Sequence, residues 1–262
     1  MPGQPVVKAG GVTVDESVRL EPVQLAGFNQ AFRTVISESL VGSVETPRFK
    51  HWALGIDGTT ARRTWWSASF NVLREDVHRT VGAFDVFTAS VFPTGAVILP
   101  AGTDQTLNYR EKVLTAGVNQ LVGAELAFGL GYRRTSAELR QRYPQVPVAV
   151  TAGADRFDEA TLDELRLTGN WNSPSGWFAR TEAGWHAQTL ASLAGGRASA
   201  SPPGDRFWQF DAQLGHRFRR NLCEVSVGVL NLTDRDYRLS PLTSAPALPR
   251  ARTLIGHLRV SF

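Results

Sequence analysis

Five histidines, one cysteine and a set of alternating charges are the residues of this chain whose types could support chemistry. His51, His78, His186, His216 and His257 are scattered, and none shows His-x-x-x-His or Cys/His ligand spacing. Cys223 has no partner for an internal disulfide or a multi-cysteine zinc site and reads as a small apolar strand residue. There is no Gly-x-Ser-x-Gly elbow and no phosphate-cradling Gly-x-x-x-x-Gly-Lys-Ser/Thr loop. One pair remains: Glu182 and His186 lie four residues apart on one face, a spacing open to acid–base work in a hydrolase. Lumenal hydrogen bonding is the simpler reading of that pair. The sequence therefore predicts no enzyme: no catalytic residue, no cofactor and no metal.

The charges are more informative as a set. Glu164, Arg166, Arg180, Glu182, Asp211, Arg217, Glu224 and Arg259 fall at alternating positions, with apolar residues between them. Both signs are well represented, so neighbouring strands can pair them, and a filled interior is expected rather than an ion-selective one. Across the chain, 28 Lys and Arg against 24 Asp and Glu leave a net charge of +4. No block of five or six basic residues concentrates it, so no nucleic-acid partner is expected.

The elements that must carry these charges are strands. From Trp177 to Ala187, Trp177, Ala179, Thr181, Ala183, Trp185 and Ala187 share one face, while Phe178, Arg180, Glu182, Gly184 and His186 share the other. That is the period-two pattern of a strand. It repeats in Phe207–Phe218, Ala124–Thr135 and Glu164–Trp171. The expected strands are 28–40, 50–58, 63–75, 105–120, 123–138, 159–172, 176–190, 206–218, 222–233 and 250–262, ten in all. Short turns at 58–62, 120–123, 172–176 and 219–221 alternate with long connections at 75–104, 139–158, 191–205 and 234–249. An extra hairpin within 84–92 would give twelve strands. Residues 1–27, with Pro2, Pro5, Pro22 and Gly10-Gly11, read as a periplasmic linker or arm.

Strict short/long alternation is the habit of a transmembrane antiparallel β-barrel, here over residues 28–262. Helical spanning is excluded on run length. The longest unbroken apolar run is Ala96-Val97-Ile98-Leu99, against the ~18 residues a membrane helix needs. A soluble β-sandwich binding module also alternates, but its strands are shorter and its loops lack this asymmetry. Ten strands cannot hold all these apolar side chains in a lumen, since about eight strands already give an interior just wide enough for side chains to fill it. The apolar faces are therefore predicted to look outward, to outer-membrane lipid. The 24 Gly, 7 Trp and 14 Phe fit turns and aromatic anchors, with Trp66, Trp171 and Trp177 beside short turns and Trp52, Trp185 and Trp208 toward the other end.

The last third is the most specific. Phe207-Trp208-Gln209-Phe210-Asp211 leads to Val229-Leu230-Asn231-Leu232-Thr233-Asp234, then Asp236-Tyr237-Arg238, Pro249-Arg250-Ala251-Arg252-Thr253 and a final Phe262. Over residues 207–262 this resembles the closing strands of TonB-dependent-receptor-type outer-membrane barrels. The alternating Leu258, Val260 and Phe262 resemble the signal read by the barrel-assembly machinery, although His257 stands where the usual glycine would lie. The stretch from Phe28 through Trp52–Asp57 to Glu75 is also similar to small barrels that end tetratricopeptide-repeat proteins. The resemblances imply a bacterial outer-membrane location, and transport or the anchoring of an upstream periplasmic repeat module. Neither a plug domain nor a TonB-box-like segment is evident. Met1–Pro5 lacks a signal-peptide pattern, so an export signal is expected upstream on a longer chain.

Overall fold

Extended backbone follows the alternation and in several places outruns it. The computed structural model describes residues 48–260 apart from 61–62, 89–95, 150, 200–203, 219–222, 241 and 244–247. The strands are β1 (Arg48–Thr60), β2 (Thr64–Thr88), β3 (Ala96–Val122), β4 (Leu126–Arg142), β5 (Asp155–Asn172), β6 (Trp177–Ala194), β7 (Arg197–Ala198), β8 (Arg206–Phe218), β9 (Cys223–Leu230) and β10 (Thr253–Val260). They form one antiparallel sheet in the order β1-β2-β3-β4-β5-β6-β8-β9-β10, with the short β7 paired to β6. A single 3-10 turn, Ala152–Ala154, is the only helical element among the described residues. No helix there is long and apolar enough to cross a membrane. The sheet is not closed: among the described residues β1 pairs with β2 alone and β10 with β9 alone.

Nine of the expected strands correspond to β1–β6 and β8–β10, while 28–40 lies outside the described residues. The count of ten is reached here by way of the two-residue β7 instead. The largest correction concerns 75–104, expected as a long connection or an added hairpin. It is neither, because β2 and β3 simply continue, paired from Arg74↔Arg110 out to Thr88↔Ala96. Glu75 and Val77 are buried while Arg74, Asp76 and His78 are exposed, so the alternation persists with polar residues on the outer face. Similarly, β4 runs on to Arg142 and β5 begins at Asp155, paired end to end and held by Arg140 Nη2 at 2.9 Å from the Asp155 carboxylate. At the other extreme, β9 stops at Leu230, because Asn231 has φ +51° and leaves the extended region.

Antiparallel register assigns each residue to a face, since directly opposed residues project the same way. One face carries Leu54, Phe70, Leu114, Leu130, Leu167, Phe210, Leu214, Val227 and Leu258, all exposed. The other carries Glu75, Gln105, Thr135, Glu164, His186, Gln188, Gln209 and Ser226, all buried. Phe128 is 51% exposed, whereas Thr135 on the same strand is fully buried. This inverts the arrangement of a sheet packed on a hydrophobic core in water. Burial is confined to the polar face.

Three aromatics, Tyr109, Phe178 and Phe207, are buried on this face. Phe178 lies on the polar face, fully buried, directly opposite Gly215 on β8. A Cβ at 215 would sit 2.4 Å from the Phe178 ring and 2.6 Å from Ser226 Cβ, so only glycine leaves the ring its place. The guanidinium of Arg217 lies over the same ring at 4.3 Å and that of Arg180 at 5.2 Å, both at cation–π range. Gly215→Ala is expected to destabilise the fold by about 1–3 kcal/mol, the usual cost of overpacking. A Phe178→Leu background should return part of that loss in urea unfolding followed by tryptophan emission.

Candidate functional site: the polar face and the connection that covers it

All eight charges singled out in the sequence lie on the polar face, through the register of β5, β6, β8, β9 and β10. They do not form one continuous ring. Arg166 Nε is 2.9 Å from Glu182 Oε1, and Arg217 Nε is 2.9 Å from Glu224 Oε2. Arg217 also donates to Asn172 Oδ1 at 2.8 Å. Glu164 lies between Arg133 at 3.7 Å and His186 at 3.4 Å, neither aligned as a hydrogen bond. Arg180 stacks on Phe178, and Arg259 is exposed on the edge strand opposite Glu224. Leu258 and Val260 are exposed on the apolar face, while Phe262 lies outside the described residues.

Two pairings differ from expectation. Glu182 belongs to Arg166, not to His186. His186 instead faces Glu164 and stacks on Phe207 at 5.0 Å, and among the described residues no hydroxyl hydrogen-bonds to it. Asp211 acts as a cap rather than as a free charge, accepting the Asn231 backbone N–H at 2.8 Å. No three His, Cys, Asp or Glu side chains converge on a metal-sized site among the described residues.

What sequence reading did not show is where the β9–β10 connection lies; its described residues are 231–240, 242–243 and 248–252. These described residues pack against the polar face of β3, β4, β5, β6 and β8. The first turn of the connection is tied down by the motif residues of the sequence. The Asn231 amide donates to the carbonyls of Arg235 at 3.0 Å and Pro249 at 3.2 Å, and its Oδ1 accepts the Arg235 N–H at 2.9 Å. Asp234 accepts the Arg252 N–H at 2.7 Å, and the Tyr237 hydroxyl donates to the Leu248 carbonyl at 2.6 Å. Tyr237 stacks on Phe207 at 4.9 Å, and the Arg250 guanidinium lies 5.7 Å from the Tyr237 ring. Farther along, Gln188 on β6 makes three hydrogen bonds to the connection. Its Nε2 donates to Ser240 O and Thr243 Oγ1, and its Oε1 accepts from the Ser240 N–H. Leu242 inserts among Tyr109, Ala137, Leu139 and Ala160, and the Tyr109 hydroxyl donates to its carbonyl at 3.0 Å. Gln209 on β8 donates to Pro249 O at 2.8 Å.

The cover is uneven along the strands. Toward the long connections the polar face is sealed, with Leu162 fully buried and Leu139 nearly so. Toward the short turns it is more open at β5 and β6, where the Arg166 side chain is 55% exposed and Arg180 is exposed, although Phe178 stays buried. A signal for the cover was present in the sequence. Leu107, Ala137, Leu139, Ala160 and Leu162 occupy positions of the otherwise polar face, which requires an apolar partner on that side.

No protein-family model, curated protein or solved structure matches this chain.

Asn231→Ala removes contacts from a fully buried amide and should destabilise the fold by about 1–3 kcal/mol. Glu182→Gln, at a pair that is largely solvent-exposed, should cost no more than about 1 kcal/mol. Tryptic cleavage after Arg238 should accelerate in the first variant and stay unchanged in the second.

Proposed function

We propose that this chain is a β-barrel domain of the bacterial outer membrane that serves as a membrane-embedded scaffold. It would anchor a periplasmic module carried upstream on a longer chain. One observation carries the reading: the apolar face is the exposed one and the polar face is the buried one. Lipid accounts for both, since a bare apolar face of this extent is unfavourable in water and a charge at the lipid midplane costs ~2–4 kcal/mol. On β6 the apolar belt runs from Trp177 to Ala187, comparable with the about 9–11 residues of a tilted transmembrane strand. On β4 and β5 it ends where Tyr132 donates to Asp163 and Arg134 pairs with the same carboxylate. Trp171, Trp177 and Phe218 lie at the short-turn ends, where one interfacial belt of aromatic rings is expected.

Parity constrains closure. The nine long strands alternate in direction, so β1 and β10 run parallel to each other. An all-antiparallel barrel therefore needs one more strand, and in this reading residues 28–40 supply it. Both chain ends then lie on the short-turn, periplasmic side, with Leu258, Val260 and Phe262 offered to the barrel-assembly machinery. The mixed charges within favour a filled interior over an ion-selective pore.

The barrel reading predicts heat-modifiable migration on denaturing gels after refolding in detergent, and no folded monomer in buffer without it. A folded monomer in plain buffer would replace the barrel with a soluble binding module. Closure is checked by cysteine pairs in a Cys223→Ala background. Thr34→Cys is expected to cross-link to both Gly55→Cys and His257→Cys, whereas direct cross-linking between positions 55 and 257 would refute the ten-strand barrel.

A further inference from the structure

We propose that the apolar face carries a lipid-phosphate site at its long-connection margin, formed by Lys50, Arg74, Arg110 and Lys112. The inference rests on the barrel reading and deepens it, by naming the headgroup chemistry that one place on the wall selects from the outer leaflet.

The register builds the site. Lys50 on β1 is directly opposite Arg74 on β2, and Arg74 is directly opposite Arg110 on β3. By alternation all three share the face of Trp52, Leu54, Phe70 and Leu114. Lys112 stands one row nearer the apolar belt, between Val72 and Ser136. Neighbouring strands lie about 4.8 Å apart, so the three cations of the row leave the sheet within about 10 Å of one another.

Like charges directly opposite each other on paired strands are destabilising. Interleaved carboxylates would offset that, yet none of the four cations makes an ion pair among the described residues. Arg110 Nε is buried with no hydrogen-bond partner. Two carboxylates border the row. Glu138 is opposite Arg110 without pairing to it, and Asp76, two residues beyond Arg74, accepts from Asn108 Nδ2 at 2.6 Å. Arg134 gives the contrast: at the same margin on β4, it lies 3.5 Å from the Asp163 carboxylate.

Position favours a lipid over a free anion. The row lies one outward position beyond Trp52, which is 65% exposed, and Val72. An acyl chain laid against Trp52, Leu54 and Phe70 therefore brings its headgroup to the level of Lys50 and Arg74. Guanidinium forks match phosphate oxygens in geometry, and lysines add point charge. One phosphate placed among these side chains supplies the missing counter-charge.

The test titrates the full chain, refolded in detergent, with diphosphoryl lipid A or with its phosphate-free counterpart carrying the same acyl chains. Native mass spectrometry counts the lipid retained. Wild type should hold the phosphorylated lipid about tenfold or more tightly than the other. Arg74→Gln and Arg110→Gln should each weaken that binding about fivefold. Arg63→Gln, which removes one cation from the short-turn end, should leave it unchanged. Without lipid, Arg74→Gln should raise the temperature at which heat-modifiable migration is lost, because it relieves the repulsion in the row. Equal retention of the two lipids, or full displacement of lipid A by excess inorganic phosphate, would overturn the lipid site while leaving the barrel intact. Failure of wild type to show heat-modifiable folding would overturn the barrel reading, and the lipid site with it.

Discussion

A β-strand permits a side chain only two directions, and antiparallel pairing transmits that choice from strand to strand. Once Leu54 faces one way, the register carries the decision through Phe70, Leu114, Arg134 and Asp163 without further freedom. The sorting of this sheet into an exposed apolar face and a buried polar one is therefore a single constraint applied many times. Shifting one strand by one residue would turn its tryptophans inward and its charges outward together. The ion pairs Arg166–Glu182 and Arg217–Glu224 depend on the same constraint, because each spans two neighbouring strands.

That constraint also marks what could be read in the sequence. Period-two alternation places Glu164, Arg180 and Asp211 on one face and Trp171, Ala179 and Phe210 on the other, and the structure agrees residue by residue. Strand ends were less legible. The Pro and Gly residues of 75–104 (Gly82, Pro93, Gly95, Pro100 and Gly102) make it look like a loop, because composition cannot distinguish an extended hairpin from an irregular connection. The partner of each charge was also hidden. Glu182 has His186 on its own strand and Arg166 on the next, and only the register of β5 against β6 favours Arg166.

The C-terminal motif shows a different limit. Asn231, Asp234 and Tyr237 stand out by type and spacing, yet the sequence does not state their work. In the structure they end a strand and gather a connection. Asn231 takes a positive φ and satisfies backbone groups at both ends of that connection, while Asp211, read as one of the interior charges, caps the Asn231 N–H. Phe178 and Gly215 are a smaller case of the same kind, a ring and a gap that match only when β6 and β8 are in register.

The Tyr109–Leu242 hydrogen bond joins residues 133 positions apart. Nearly every strand pairing is local by comparison, each strand adding to its neighbour across one connection. Loop-closure entropy therefore places this contact late on the folding route. The strands pair first, and the described part of the β9–β10 connection settles once β3 through β8 have created the surface that receives it. A buried contact of the finished sheet is in this sense among the last to be written into it.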